Sequence, residues 1–176
     1  MWNERRRLNY WLSAWLPAAL CVGVIFVEST AAFGAEYTSR PLRALYEALF
    51  GPIGNARWEV LHLALRKCGH LLGYGVMGLA WLRAWRMTLV NASYVEGGLL
   101  ALLSTGVVAS ADEWHQTYLP NRTGTPWDVL LDCCGALTLQ LAFYLFLRFS
   151  RSRQRAKSSR SRRFFPSNKK HGRRMR

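Results

Sequence analysis

Acidic residues are scarce in this chain. Its 176 residues include 10 Asp and Glu against 24 Lys and Arg, and residues 148–176 contain no acid at all. That segment holds 13 of the cations, which leaves 11 to face all 10 acids in residues 1–147. The charge therefore argues against a basic nucleic-acid-binding globule, because such a domain needs a basic face on its folded body. Cysteine is sparse too: four residues without a repeated spacing exclude a small disulfide scaffold. No Cys-x-x-Cys pair and no His-Glu-x-x-His run occurs, so the common zinc motifs are missing. No cofactor is expected.

What the chain has in quantity is apolar length. Tyr10–Val27 is 18 residues without a charge, Cys68–Leu82 and Gly97–Ala111 are uncharged, and Val129–Leu147 holds one acid, Asp132. About 20 helical residues at about 1.5 Å each cross the roughly 30 Å of bilayer hydrocarbon. The first and last stretches meet that directly, and flanking residues extend the other two. The expected fold is all-α, a polytopic membrane bundle of four transmembrane helices. A soluble bundle would lack the polar surface to cover so much apolar helix. A cleaved signal peptide, with Arg5–Arg7 before the apolar run and Ala32-Phe33-Gly34 after it, is the weaker reading, since the run exceeds the usual 7–15 residues. Gly69, Gly73, Gly75 and Gly78 are expected to allow close helix contact.

The chain divides by composition into a basic N-terminus (1–9), a membrane domain (10–147) and a basic tail (148–176). Arg5–Arg7, Arg83 with Arg86, and the tail all fall on one side of a four-helix arrangement. Lys and Arg favour the cytoplasmic side, so both termini are expected inside. The connections 28–67 and 112–127 then face outwards. Within the first, Leu42, Leu45, Tyr46, Leu49 and Phe50 keep the spacing of one helical face, and Gly51-Pro52 ends it. This predicts a short amphipathic outer helix at the interface or over the bundle. A separate short run, Trp58–Leu65, leads into the second span. From Ser150 the tail is rich in Ser, Arg and Lys without apolar period and is expected to be disordered. Its expected partner is anionic lipid headgroups, not nucleic acid.

Charged groups near membrane helices need partners, and here they cluster at three span ends. Lys67, His70 and Tyr74 share one helical face at i, i+3 and i+7. Asp112, Glu113, His115 and Gln116 end the third span. Pro120-Asn121-Arg122-Thr123-Gly124 and Trp127-Asp128 precede the fourth, where Asp128 and Asp132 are i, i+4. The topology puts all three clusters, with Glu28, on the outer side at one depth. A structural ion-pair network would satisfy that pattern, and so would a functional pocket. The ligand-binding candidates are Lys67, His70, Tyr74, Asp112, Glu113, Gln116, Arg122, Asp128 and Asp132. His70, Asp112, Glu113 and Asp128 are the candidates for catalysis.

Those residues carry a resemblance. Lys67-x-x-His70-x-x-x-Tyr74, Asp112-Glu113-x-x-Gln116 and Arg122-x5-Asp128, in this order at span edges, resemble the VanZ-like membrane proteins over roughly residues 10–147. Glu28-Ser29-Thr30 is similar to a Ser-containing turn of that family. Asp132 departs from the pattern, since many relatives have Asn there. The resemblance implies a multi-pass protein of the bacterial inner membrane, tied to the cell envelope and to glycopeptide (teicoplanin) resistance, but no reaction.

Two functions compete. In the first, the outer pocket binds an anionic lipid, a cell-wall precursor or a glycopeptide, with Lys67 and Arg122 holding phosphate or carboxylate. In the second, an enzyme acts on a phospholipid or polyprenyl-phosphate substrate. His70 is then the acid-base residue, oriented by Asp112 or Glu113, and Arg122 stabilises developing charge. A metal site built from His70, Asp112, Glu113 and His115, and a transporter, are weaker readings. Trp114 and Trp127 are secondary binding candidates, and His62 is read as packing.

Overall fold

A computed structural model describes residues 2–119, 122 and 124–164. Five α-helices follow one another: α1 (Trp2–Glu28), α2 (Ala35–Phe50), α3 (Asn55–Thr88), α4 (Tyr94–Gln116) and α5 (Pro126–Phe164), with a 3-10 turn at Ala31–Phe33 between α1 and α2. The all-α expectation holds. Three segments are long and apolar enough to cross a membrane: Glu4–Glu28, Tyr94–Gln116 and Pro126–Gln154. At about 1.5 Å per residue each exceeds roughly 30 Å. The second expected span is not among them. His70, Tyr74, four glycines and Arg83 lower the mean hydropathy of α3.

Helix α3 is also longer than the sequence suggests. Trp58–Leu65 is not a separate run but the first turns of a continuous 34-residue helix, about 51 Å long. It packs on both α1 and α4. Ala14 and Ala18 on α1 and Ala84 on α3 are fully buried, so the α1–α3 contact rests on small side chains. Trp15 packs edge-on against Trp81 and Trp85, and its indole N–H donates to Thr88 Oγ1 at 3.1 Å. Pro17 lies inside α1 without breaking it. Because proline has no N–H, the Ser13 carbonyl one turn earlier loses its helical donor. The Arg83 guanidinium of α3 supplies the replacement by donating to Ser13 O.

Against α5 the contact is closer still. A Cβ on Gly135 would come within 2.2 Å of Leu71 O, and one on Gly78 within 3.0 Å of Ala136 Cα. Gly75 and Gly78 serve the contact the sequence predicts. Gly69 and Gly73 do not, with no atom within 4 Å of an added Cβ. At about 100° per residue they lie on the opposite side of α3.

Two features lie outside the helices' own packing. The expected amphipathic helix is α2, which starts at Ala35, earlier than the apolar spacing marks, and ends at Gly51 with φ 88°. None of its residues is buried; Leu45, Leu49 and Phe50 are exposed, so the apolar stripe does not cover the bundle. It is tied to α3 by Trp58, whose indole N–H donates to Ser39 Oγ at 2.8 Å, and by His62, whose Nε2 is 3.2 Å from Thr38 Oγ1. Second, the start of α4 is a complete capping box: Ser93 Oγ accepts from Glu96 N, and Glu96 Oε2 accepts from Ser93 N. The Ser-x-x-Glu spacing carries that signal in the sequence.

The chain forms two units, Met1–Gln140 and Leu141–Arg176. In the second, helix continues to Phe164, so residues 150–164 are helical where disorder is expected. Arg, Lys, Gln and Ala favour helix, and no Gly or Pro interrupts before Pro166. The tail beyond residue 164 lies outside the described residues.

Candidate functional site

Every sequence-predicted site residue belongs to the first unit, at the end of the bundle remote from Trp15. Tyr10 meets Met87 and Trp15 meets Thr88 at one end. At the other, Ser29 Oγ lies 3.4 Å from His115 Nδ1, and Arg122 donates to the Glu28 and Thr30 carbonyls at 3.1 and 3.2 Å. The expected convergence of the three clusters with the end of α1 is therefore present in the fold.

The face Lys67–His70–Tyr74 of α3 meets acids from two other helices, one rung below another. Lys67 Nζ pairs with Asp128 Oδ1 of α5 at 2.5 Å. One turn deeper, His70 Nδ1 is 3.6 Å from Asp132 Oδ1. Deeper again, the Tyr74 hydroxyl donates to Asp112 Oδ2 of α4 at 3.0 Å, and Gln116 Nε2 donates to the same oxygen at 3.2 Å. Solvent access falls along the ladder, from a half-exposed Lys67 head to Asp132 and Tyr74 at 0% and 1%. Neither Asp132 oxygen has a hydrogen-bond partner among the described residues. A buried carboxylate whose ion-pair neighbour, the His70 ring, stands beyond hydrogen-bond distance is costly, so this position has a demand that packing alone does not meet.

Glu113 and Asp128 are joined through Thr125. Glu113 Oε2 accepts from Thr125 N at 2.8 Å, and Thr125 Oγ1 donates to Asp128 Oδ2 at 2.9 Å. Gly124 presses so closely on α4 that a Cβ there would come within 2.0 Å of Glu113 O. Gly124 and Thr125 thus lie against the end of α4, and Arg122 lines the site.

Above the ladder is a cavity of about 170 Å³, lined by Lys67, His70, Glu113, Gln116, Arg122 and Asp128, with Arg66, Leu63 and Leu131. Tyr74, Asp112 and Asp132 are beneath it rather than in its wall. The residues expected at one depth therefore occupy two, the cations with Glu113 and Asp128 at the mouth, Asp112 and Asp132 below. His115 is corrected more strongly. It points to α1, stacked on Phe26 and beside Ser29, away from His70. It is one step of about 100° from Gln116 but only about 60° from Asp112 at i, i+3, so its contact with α1 rather than helical phase takes it out of the group. Among the described residues no three of His, Cys, Asp and Glu are placed to hold a metal ion. The partner of His70 is Asp132, not Asp112 or Glu113. Trp114 and Trp127 are exposed and outside the cavity. Pro120, Asn121 and Thr123 lie outside the described residues.

Arg66 is a cavity residue that the sequence pattern does not single out. It is one turn before His70, on the face the Lys67 spacing already marks. Burial, and then the nearby Arg122 guanidinium, hold it below the usual arginine range. Among the described residues neither Arg66 nor Arg122 forms an ion pair, and the Arg122 Nε–H is buried without an acceptor. Lys67, by contrast, is neutralised by Asp128. The cavity therefore presents two guanidinium groups with unused donors.

A larger hollow of about 780 Å³ lies at the far end, by Leu89–Ala92 and Leu99. Its one acid, Glu96, is occupied by the capping box, which leaves it without comparable chemistry.

No curated protein and no solved structure matches the chain. The VanZ/LLP1 family matches it over residues 14–158, which takes in α2, α3 and α4 whole, part of α1 and most of α5, and every residue of the ladder and cavity. This chain is a member of the VanZ/LLP1 family.

Proposed function

We propose that this protein is a four-span protein of the bacterial inner membrane whose outward cavity binds the anionic head group of an envelope lipid or lipid-linked cell-wall precursor. Helix α3 is the fourth span, crossing from Cys68, with its first turns standing outside. Its low hydropathy is compatible with crossing because His70, Tyr74, Arg83 and Trp85 are partnered by α1, α4 and α5 rather than by lipid. With Arg5–Arg7, Arg83, Arg86 and the tail on one side, both termini are cytoplasmic. The exposed apolar stripe of α2 then lies in the outer interface, and the cationic tail meets anionic headgroups.

The observation that carries the binding reading is the pair Arg66 and Arg122, lining one cavity without a carboxylate of their own. Two close guanidinium groups repel, and an anion between them relieves that. Charge-assisted, bidentate contact is what arginine offers phosphate and carboxylate. A cavity of about 170 Å³ is below the roughly 300–1,000 Å³ that encloses a drug-sized molecule. It accepts a phosphate or a small headgroup, and a whole glycopeptide could touch only its rim. A link to teicoplanin resistance would then act through the lipid or precursor. The test is calorimetry of the purified chain with glycerol 3-phosphate: binding is expected for the wild type and a tenfold or greater loss for Arg122→Gln and Arg66→Gln. Unchanged affinity in both variants rejects the reading.

A second reading, an enzyme acting on a phospholipid or polyprenyl phosphate, is favoured by one observation. His70 lines the cavity while its Nδ1 faces the buried Asp132. A carboxylate behind an imidazole fixes the tautomer and leaves the other nitrogen for acid-base work. Turnover of lipid phosphate by the wild type, lost in His70→Ala, would establish it; no turnover with any phospholipid or polyprenyl phosphate removes it.

A further inference from the structure

A second hollow, of about 490 Å³, adjoins the first between the last turns of α4 and the first turns of α5. Its walls are Ser110, Trp114, Pro126, Val129 and Leu130, with Glu113 shared between the two. The partition is one layer of side chains thick: Thr125 lines the groove, and its two bonding partners, Glu113 and Asp128, line the cavity. On α5 the first turns divide by face. Asp128 and Leu131 belong to the cavity, Val129 and Leu130 to the groove.

We infer that the ligand is an anionic phospholipid of the surrounding bilayer, its phosphate held between Arg66 and Arg122 and an acyl chain lying in the groove between α4 and α5. This rests on the head-group reading above. Three features argue for that occupant. The groove is bordered by exposed Trp114 and Leu130 on two helices that are themselves long and apolar enough to span a bilayer, so it opens towards hydrocarbon. It runs from the Glu113/Pro126 level to Ser110 and Leu130, about 5–6 Å deeper along the helices, the direction an acyl chain takes from its headgroup. And the polar cavity next to it is too small for a sugar-peptide headgroup but large enough for a glycerol phosphate. A water-soluble anion would leave the groove without a role.

The test compares probes on the delipidated full chain in detergent, by calorimetry: dihexanoyl-phosphatidylglycerol below its micelle concentration, glycerol 3-phosphate, dihexanoyl-phosphatidylcholine and a short polyprenyl phosphate. The phosphatidylglycerol is expected to bind at least tenfold more tightly than glycerol 3-phosphate and than the phosphatidylcholine. Leu130→Trp and Ser110→Phe, both at exposed positions, fill the groove. They should erase the gain from the chains and leave glycerol 3-phosphate affinity unchanged, which also reports that the variants fold. Equal binding of the two phosphates, or groove variants that keep the gain, overturns the groove while the head-group reading stands. Tighter binding of the polyprenyl phosphate, or equal binding of the phosphatidylcholine, overturns the choice of lipid. No binding of any probe overturns both.

Discussion

The two ends of the bundle solve the same problem in opposite ways. Both bury polar groups where hydrocarbon offers them nothing. At the Trp15 end four polar side chains find a neutral or backbone partner, Tyr10 with Met87 O, Trp15 with Thr88, Trp85 with Ser104 and Arg83 with Ser13 O, while the neutral Trp81 Nε1 and Gln140 Nε2 are buried with none. At the Lys67 end acids and cations are in excess of their partners, and Asp132 and Arg122 retain buried atoms with none. The first end is closed to charge: its unpaired buried atoms are neutral indole and amide nitrogens, and its bonds hold α1, α3 and α4 together. The second has capacity left over, which is the mark of a place that meets something else. Experiments that exchange these characters, stabilising the open end or opening the closed one, would break the contrast.

The largest effect is expected where both ends depend on one contact. Gly135→Leu forces a side chain into the Leu71 carbonyl, with backbone on both sides and nothing flexible to give way. Loss of about 3 kcal/mol or more is expected, seen as failure to elute as a single species in size exclusion. Gly69→Ala, with open space around it, should elute like the wild type. Next is Arg83→Ala at the closed end. It removes a charged donor from the carbonyl that Pro17 leaves free, and a cost of about 1–2 kcal/mol is expected. In a Pro17→Ala background the helix supplies its own N–H, so the same change should cost less. Denaturation of the two single variants and the double variant measures that coupling; additive effects would show that Arg83 does not serve the Pro17 gap. Phosphate affinity should not move in any of the three.

How much of this was legible beforehand differs between the ends for a physical reason. The acidic and cationic clusters at span edges announce themselves, because charge is rare in such a chain and the Lys/Arg bias puts the clusters at one end. Which acid meets which base did not follow. Asp112 and Asp132 are both one turn inside, and only the rotation of α4 and α5 about their axes decides that Tyr74 takes the first and His70 the second. His115 goes to Ser29 and Phe26 because α1 packs on its side of α4, and the sequence does not say which face α1 covers. The closed end was nearly invisible: a tryptophan near a span end reads as an interfacial anchor, and nothing in the sequence says that Trp15 packs between Trp81 and Trp85. Hydropathy left α3 ambiguous because the helix that carries the site is the one diluted by glycine and polar side chains.

At the open end, Asp132 should behave unlike Arg83. Asp132→Asn keeps the shape and removes a buried carboxylate whose neighbour, His70 Nδ1 at 3.6 Å, is beyond hydrogen-bond distance. Thermal stability is expected to stay level or rise by up to about 1 kcal/mol, while phosphate affinity falls because His70 loses its orienting carboxylate. A clear loss of stability would instead make Asp132 a structural partner of His70 and bring the two ends into line. The smallest effect is expected beyond both ends, at His62, buried against Trp58 and Thr38. Burial, and then Arg66, hold its pKa below the usual value, so it is neutral in the fold. Its contribution is complete above the unfolded-state value, about 6.5, and is lost as pH falls from there through the lower folded-state value, because the unfolded chain takes up the proton first. The difference in Tm between wild type and His62→Gln should narrow as pH drops from 7.5 to 5.5; a difference that stays constant would mean that His62 titrates alike in both states and that the attachment of α2 does not depend on its neutrality.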